Sequence, residues 1–298
     1  MVKVAAIDCG SNSTRLLIAR PINGKLEALY RHNEVTRLSN RSRQTNVILP
    51  DSKKRFYNVL KKYIKKIRDY KVQEVFCIGT AVFRNSENSE NIVDEVKKRF
   101  NLEIKIISSR EEGLLTALGV QSSFNNLENY LIVDIGGQST ELIYDLENKI
   151  KVISNDIGVV SLNENYLDTN PLRDSLEMDA NKYFEKIFTQ FDFTKRDLIG
   201  VSGTFTTLAS IFLNQKRYNE EEIDKIQIDI KSVNKIYDKV KLLSEAQIIT
   251  HYPSLDPKRA KTITSGIFMV KNILKKYEIN QLKVSKSDIL EGLILKYF

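Results

Sequence analysis

Two seven-residue turns constrain this chain more than any other feature. Asp8-Cys9-Gly10-Ser11-Asn12-Ser13-Thr14 and Asp134-Ile135-Gly136-Gly137-Gln138-Ser139-Thr140 share Asp, Gly, Ser and Thr at the same four places, and amide Asn12 answers amide Gln138. Apolar runs flank both turns, VAAI and LLIA around the first and LIV and LIYD around the second. A strand, turn and strand that recur with their context indicate internal duplication. A chain of 298 residues, about twice the usual domain length, accommodates two such lobes.

The coarse reading around each turn is the same. The first cycle is read as strands Val2 to Asp8 and Arg15 to Arg20, an Asn23-Gly24 hairpin into a strand from Leu26, and a helix over 51–71. Further strands are expected at Glu74 to Ile78 and Ile104 to Ile107, with helices near Asn91 to Phe100 and from Arg110. The second cycle restarts with strands near Asn129 to Asp134, Thr140 to Asp145 and Ile150 to Ser154. A helix near Ser175 to Phe188, a strand Asp197 to Val201, a helix from Thr204, a strand Ile226 to Ile230 and further helices follow. Alternation of this kind predicts α/β lobes with mixed sheets covered by helices. The expected lobes are 1–124 and 125–298, divided at a polar stretch near residues 120–128, with the functional site in the cleft between them.

Composition excludes several classes. Two cysteines (Cys9, Cys77) and two histidines (His32, His251), far apart in sequence, are too few for a Cys/His zinc site or a disulfide framework, and they weaken any His-based hydrolase reading. A metal here would be a hard, oxygen-ligated cation. The longest uncharged stretch, Leu198 to Gln215, holds three Thr, two Ser and two Gly, which does not suit a membrane span, and no signal-peptide apolar run precedes Asp8. The expected setting is cytoplasmic. Of the formal net charge of +8, most sits between Asp51 and Lys71, where nine basic residues face two acidic ones on an amphipathic helix. A solvated lysine face and a surface that attracts a polyanion are both consistent with it. No motif for specific nucleic-acid recognition is evident.

A strand that ends in Asp and enters a Gly/Ser/Asn turn puts a carboxylate beside several backbone N–H groups, a combination that suits phosphate and Mg2+. Gly10 to Ser13 and Gly136, Gly137 and Ser139 are the candidate phosphate groups, with Asp8 and Asp134 beside them. GVSGT at 200–204 is a third turn, whose plainer reading is a helix cap by Ser202 or Thr204. In SSREEG, Ser109 and Glu112 have capping-box spacing, while a carboxylate at a strand end could also take a proton from water attacking a phosphoryl group.

These residues resemble the exopolyphosphatase and guanosine pentaphosphate phosphohydrolase (Ppx/GppA) family, within the acetate kinase, sugar kinase, heat-shock protein and actin superfamily. DCGSNSTR and DIGGQSTE are similar to its two phosphate motifs, GTAVFR to its connecting segment, ISSREEG to its catalytic-glutamate segment, and GVSGT to the superfamily turn. NDIGVVSLNENYL, HYPSLDPKRAKTITSG and VSKSDILEG follow the family pattern in order, so the likeness covers essentially the whole chain. The resemblance implies two ribonuclease-H-like lobes. It makes Glu112 the base that activates water, and Asp134 and Glu141, with Asp8, the ligands of Mg2+. It gives phosphate to Asp8, Gly10, Ser11, Asn12, Ser13, Arg15 and Arg84, to Gly136, Gly137, Gln138 and Ser139, and to Ser202, Gly203 and Thr204. Ser109, Gln138 and Leu290 depart from the usual Gly, Gly and Arg of the family. The implied activity is release of terminal orthophosphate from polyphosphate. The alternatives are 5′-phosphate hydrolysis of pppGpp or a weakly active polyphosphate or alarmone sensor. A homodimer is the expected assembly, and a sugar or acetate kinase is disfavoured because no acceptor-site signature is present.

Overall fold

The computed structural model describes residues 2–39, 45–124, 127–147, 149–188, 191–193 and 196–298. The chain divides into two compact units, Met1–Asn126 with Ser287–Phe298, and Leu127–Lys286. The last segment corrects the expected extent of the second lobe: residues 287–298 pack on the first unit.

In the first unit, strands β1 (Val4–Cys9), β2 (Ser13–Ile22), β3 (Lys25–Val35), β4 (Glu74–Gly79) and β5 (Lys105–Ile106) form a sheet of order β3-β2-β1-β4-β5. β1 runs antiparallel to β2 and parallel to β4. Asn23 and Gly24 both have positive φ, 50° and 72°, as a two-residue turn between strands of native twist requires. Every residue of β1 is buried, because alternate side chains serve two faces. Ala5, Ile7 and Cys9 join Leu16, Ile18 and the apolar side of helix 50–69 (Phe56, Leu60, Tyr63). Val4 and Ala6 join Leu17, Leu115 and the terminal helix residues Ile289, Leu290 and Leu293. Leu290 therefore belongs to an apolar core, which an arginine there would have to leave.

That terminal helix, Ile289–Leu295, lies against helix Ser109–Ser123 at backbone contact distance. A Cβ on Gly119 would collide with the Asp288 carbonyl, and one on Gly292 with the Leu115 carbonyl. Glycine at both places lets the two helices touch.

The second unit repeats the plan with β6 (Tyr130–Ile135), β7 (Thr140–Leu146), β8 (Lys149–Asn155), β9 (Asp197–Val201), β10 (Gln227–Asp229) and β11 (Gln281–Val284), in the order β10-β11-β9-β6-β7-β8. β6 is antiparallel to β7 and parallel to β9, as β1 is to β2 and β4. β11 is parallel to β9, and β10 adds an antiparallel edge. The duplication expected from the turns is thus present, each unit carrying a mixed sheet of the same plan covered by helices. Among the described residues no helix is long and apolar enough to cross a membrane.

Candidate active site

The first turn is held by its own backbone and by the chain that follows β3. The Gly10 N–H donates to the Ser13 carbonyl at 3.0 Å. Ser39 N–H donates to the Ser11 carbonyl at 3.0 Å, and Thr36 and Arg37 N–H donate to the Asn12 carbonyl at 3.0 and 2.8 Å. In a trans peptide the next N–H points opposite to the carbonyl. The N–H groups of Asn12 and Ser13 therefore face away from residues 36–39. Buried Thr14 ties the same segment down through Thr36, hydroxyl to hydroxyl at 3.2 Å.

Asp8 and Arg15 are directly opposed in the β1–β2 register. Arg15 donates from Nε and Nη2 to Asp8 Oδ2 at 2.9 and 2.7 Å, and from Nη1 to Asp288. Asp8 is 5% exposed and its Oδ1 is buried without a hydrogen-bond partner. Burial outweighs the guanidinium and raises the Asp8 carboxyl above the usual carboxylate range. The resemblance gives Arg15 to phosphate, whereas here its guanidinium lies between two carboxylates. Asp288 is a member of this group that sequence reasoning missed. Its signal was the D-x-x-E spacing of 288–291: Asp288 Oδ1 accepts from Leu290 N–H at 3.1 Å, and Glu291 returns a bond to Asp288 N–H at 2.9 Å. Glu291 also pairs with Arg31. Beneath the turn the two cysteines meet, Cys9 Sγ to Cys77 Sγ at 3.7 Å, and burial pushes the Cys9 thiol well up, which keeps it protonated and unreactive.

Glu112 is not the capping residue that the Ser109 spacing suggested. Helix 109–123 is capped by Ser108, whose hydroxyl accepts from Glu111 N–H at 3.1 Å. The frame is one residue earlier, and Glu111 pairs with Lys105 and Lys296 at 2.9 and 2.8 Å. Glu112 is thereby turned to Arg84, whose Nη1 donates to its Oε2 at 2.7 Å and to the Ile107 carbonyl at 2.9 Å. Arg84 ends the short helix Ala81–Arg84 that follows β4, so the connecting segment delivers the cation to the glutamate.

The second turn repeats the first hydrogen bond, Gly136 N–H to Ser139 carbonyl at 2.9 Å, and is then covered by a helix N-terminus. Val159 N–H donates to the Gly136 carbonyl at 3.0 Å, and Val160 and Ser161 N–H donate to the Gly137 carbonyl at 2.8 and 3.2 Å. The N–H groups of Gly137 and Gln138 point the opposite way. Gly158 makes the approach possible, since a Cβ there would collide with the Gly137 and Gln138 backbone. Buried Thr140 donates to the Ile157 carbonyl at 2.6 Å, the counterpart of the Thr14 tie. The Gln138 side chain is buried.

Asp134 and Glu141 are directly opposed in the β6–β7 register, in the slots that Asp8 and Arg15 hold in the first unit. Both are buried, and Ser154 donates to Glu141 Oε1 at 2.9 Å. Opposed residues have Cβ atoms about 5 Å apart on one face of the sheet, where like charges destabilise each other. Two carboxylates so placed suit a small hard cation, which commonly takes one or two protein carboxylates and completes its shell with water and phosphate oxygens. Among the described residues no group of three or more His, Cys, Asp or Glu is gathered in one place.

The third turn corrects the capping assignment again. Helix Ser202–Phe212 has Val201 at its cap position and no side-chain cap; neither Ser202 nor Thr204 fills that role. Ser202 has φ 66°, a strained value for a residue other than glycine. The Arg259 guanidinium occupies the space a Cβ on Gly203 would need.

The Ppx/GppA phosphatase family model matches residues 17–298. A bifunctional 3-dehydroquinate synthase/phosphatase of Fusobacterium nucleatum is 32% identical over 309 residues, covering 98% of this chain and 46% of its own length. A guanosine-5′-triphosphate,3′-diphosphate pyrophosphatase of Vibrio cholerae is 25% identical over 301 residues, covering 97% and 58%. The chain thus spans about half the length of the curated relatives it matches. The crystal structure of an Aquifex aeolicus Ppx/GppA family member superposes with a TM-score of 0.81 at 28% identity, covering 99% of this chain and 97% of that one. With the duplicated turns, the Arg84–Glu112 pair and the opposed carboxylates in the order the motifs require, the chain belongs to the Ppx/GppA phosphatase family.

Proposed function

We propose that this chain is a Mg2+-dependent phosphoric anhydride hydrolase that releases terminal orthophosphate from inorganic polyphosphate. The observation that carries the reading is the buried Asp134–Glu141 pair beside a turn whose carbonyls are bound inward. Asp134 and Glu141 would hold the cation, which when bound neutralises phosphate charge and orients the attacking oxygen. The N–H groups of Gly137 and Gln138, and of Asn12 and Ser13, are the proposed donors to phosphate oxygens. Glu112 is the proposed base: water forms the new P–O bond, its proton goes to Glu112, and the anhydride P–O bond breaks toward the shortened chain. Arg84 orients Glu112 through its charge-assisted bond. In this reading Arg15 positions Asp8 rather than taking phosphate itself. A cytoplasmic setting and a homodimer remain parts of the proposal.

The name of the Vibrio cholerae relative favours a second reading, hydrolysis of the 5′-terminal phosphate of pppGpp. Phosphate release with Mg2+ from polyphosphate and from pppGpp in parallel, with Glu112→Gln as control, separates the two. Release from polyphosphate that falls about 10²–10⁴-fold in the variant supports the first reading. Faster release from pppGpp supports the second. Binding without release from either would make the chain a sensor and sink both.

A further inference from the structure

We propose that the solvent face of helix Pro50–Asp69 is a docking stripe for long-chain polyphosphate, separate from the residues that cleave it; this rests on the polyphosphate reading above. The structure sorts the basic residues of this segment into two groups. Lys53 pairs with Glu95 at 3.0 Å, Lys62 with Glu34 at 3.7 Å, Lys66 lies 5.2 Å over the Tyr30 ring, and Arg55 donates to the Thr36 carbonyl at 2.9 Å. These four serve the fold. Lys54, Lys61, Lys65 and Arg68 are exposed, and the first, second and fourth form no ion pair among the described residues. Lys65 has only an exposed i,i+4 contact to Asp69, at 2.8 Å.

At 3.6 residues per turn these four fall within about 40° of one line, over about 21 Å of helix axis. Like charges three and four residues apart repel and weaken a helix. Packing does not require them, because the buried side of the helix is supplied by Phe56, Tyr57, Val59, Leu60, Tyr63 and Ile67. A single file of cations fits a single-file polyanion with charge at every repeat. Duplex nucleic acid presents two backbones across a groove about 12 Å wide, and single strands are held on aromatic platforms. The exposed positions of this face are Lys54, Asn58, Lys61, Lys62, Lys65 and Arg68, with Asp51 and Asp69 at its two ends; none is aromatic or apolar, so base stacking and membrane insertion lack their usual anchors.

The test compares wild type with Lys54→Gln/Lys61→Gln/Lys65→Gln/Arg68→Gln, glutamine being a good helix former. A control with the same charge loss elsewhere on the unit is Lys25→Gln/Lys71→Gln/Lys97→Gln/Lys98→Gln, at exposed positions. For long polyphosphate the stripe variant should show a KM raised about tenfold, and a salt slope lower by about 0.7 per charge removed. Its kcat, and both constants for tripolyphosphate, should match wild type, and the control should change little. An unchanged KM and slope, an equal change in the control, or an equal loss with tripolyphosphate would overturn the proposal. Direct titration of long polyphosphate in a Glu112→Gln background reads docking without turnover. Stripe-dependent binding there with no wild-type hydrolysis would retain the stripe and reject the hydrolase. Duplex DNA that binds the stripe as tightly as polyphosphate, phosphate for phosphate, would reject polyphosphate as its partner.

Discussion

The two units place different chemistry in one structural slot. Across β1–β2 a buried Asp8 faces Arg15, and across β6–β7 a buried Asp134 faces Glu141. The first pair supplies its own counter-charge and gains another carboxylate from Asp288. The second places acid against acid, an arrangement that a bound cation would neutralise. Duplication preserved the turn, the inward carbonyls and the buried threonine, while one exchange of residue type separated a positioning element from a candidate metal site.

The largest effect should come from the acidic pair. Glu141→Gln or Asp134→Asn should lower Mg2+-dependent phosphate release by about a thousandfold, in line with the several kcal/mol a metal contributes to such a transition state. Activity near wild type would remove this pair from the metal.

The first pair should act on stability instead. Arg15→Gln strips the guanidinium from a buried carboxylate and should destabilise the protein by about 3–5 kcal/mol in urea unfolding. Adding Asp8→Asn should restore much of that loss, and a double variant as unstable as the single would show that the two residues are not coupled.

Glycine substitutions sharpen the contrast between the turns. At Gly158 an alanine meets backbone on the second turn and should cost about 1–3 kcal/mol. At Gly10 the added carbon lies 3.0 Å from the Ser13 carbonyl, a milder contact with a smaller expected loss. Equal melting temperatures for the two variants would contradict that ranking.

The smallest effect concerns pH. Because the folded protein raises the Asp8 carboxyl above its ordinary 3.8, the native state binds that proton more tightly than the unfolded chain. Stability from this group therefore falls as pH rises from about 3.8 through the raised value. Asp8→Asn should flatten that part of the stability–pH profile, and an identical profile in the variant would assign the dependence to other groups.

Much of the fold was legible because it rests on local pattern. The repeated turn marked the duplication, Asn23-Gly24 marked the hairpin, and the apolar spacing from Phe56 to Ile67 marked the long helix. What escaped depended on a one-residue frame or on distant chain. Ser108 rather than Ser109 caps helix 109–123, and both serines satisfy the same preference, so only backbone geometry separates them. The meeting of Cys9 and Cys77 follows from which strands become neighbours, and that of Arg15 with Asp288 from where the helix 289–295 packs. No periodicity encodes that, and a C-terminal helix of seven residues carries little signal of where it packs.

The return of Ser287–Phe298 to the first unit also orders events during synthesis. The second unit is one continuous stretch, Leu127–Lys286, whose strands and helices are all present when residue 286 has been made. The first unit begins earlier and is completed later. Until the ribosome has added the terminal helix, Val4, Ala6, Leu17 and Leu115 lack the apolar partners Leu290 and Leu293, and Arg15 lacks Asp288. A chain truncated after residue 286 should therefore hold a protease-resistant second unit beside a first unit that is still open to cleavage, although the first was translated before it.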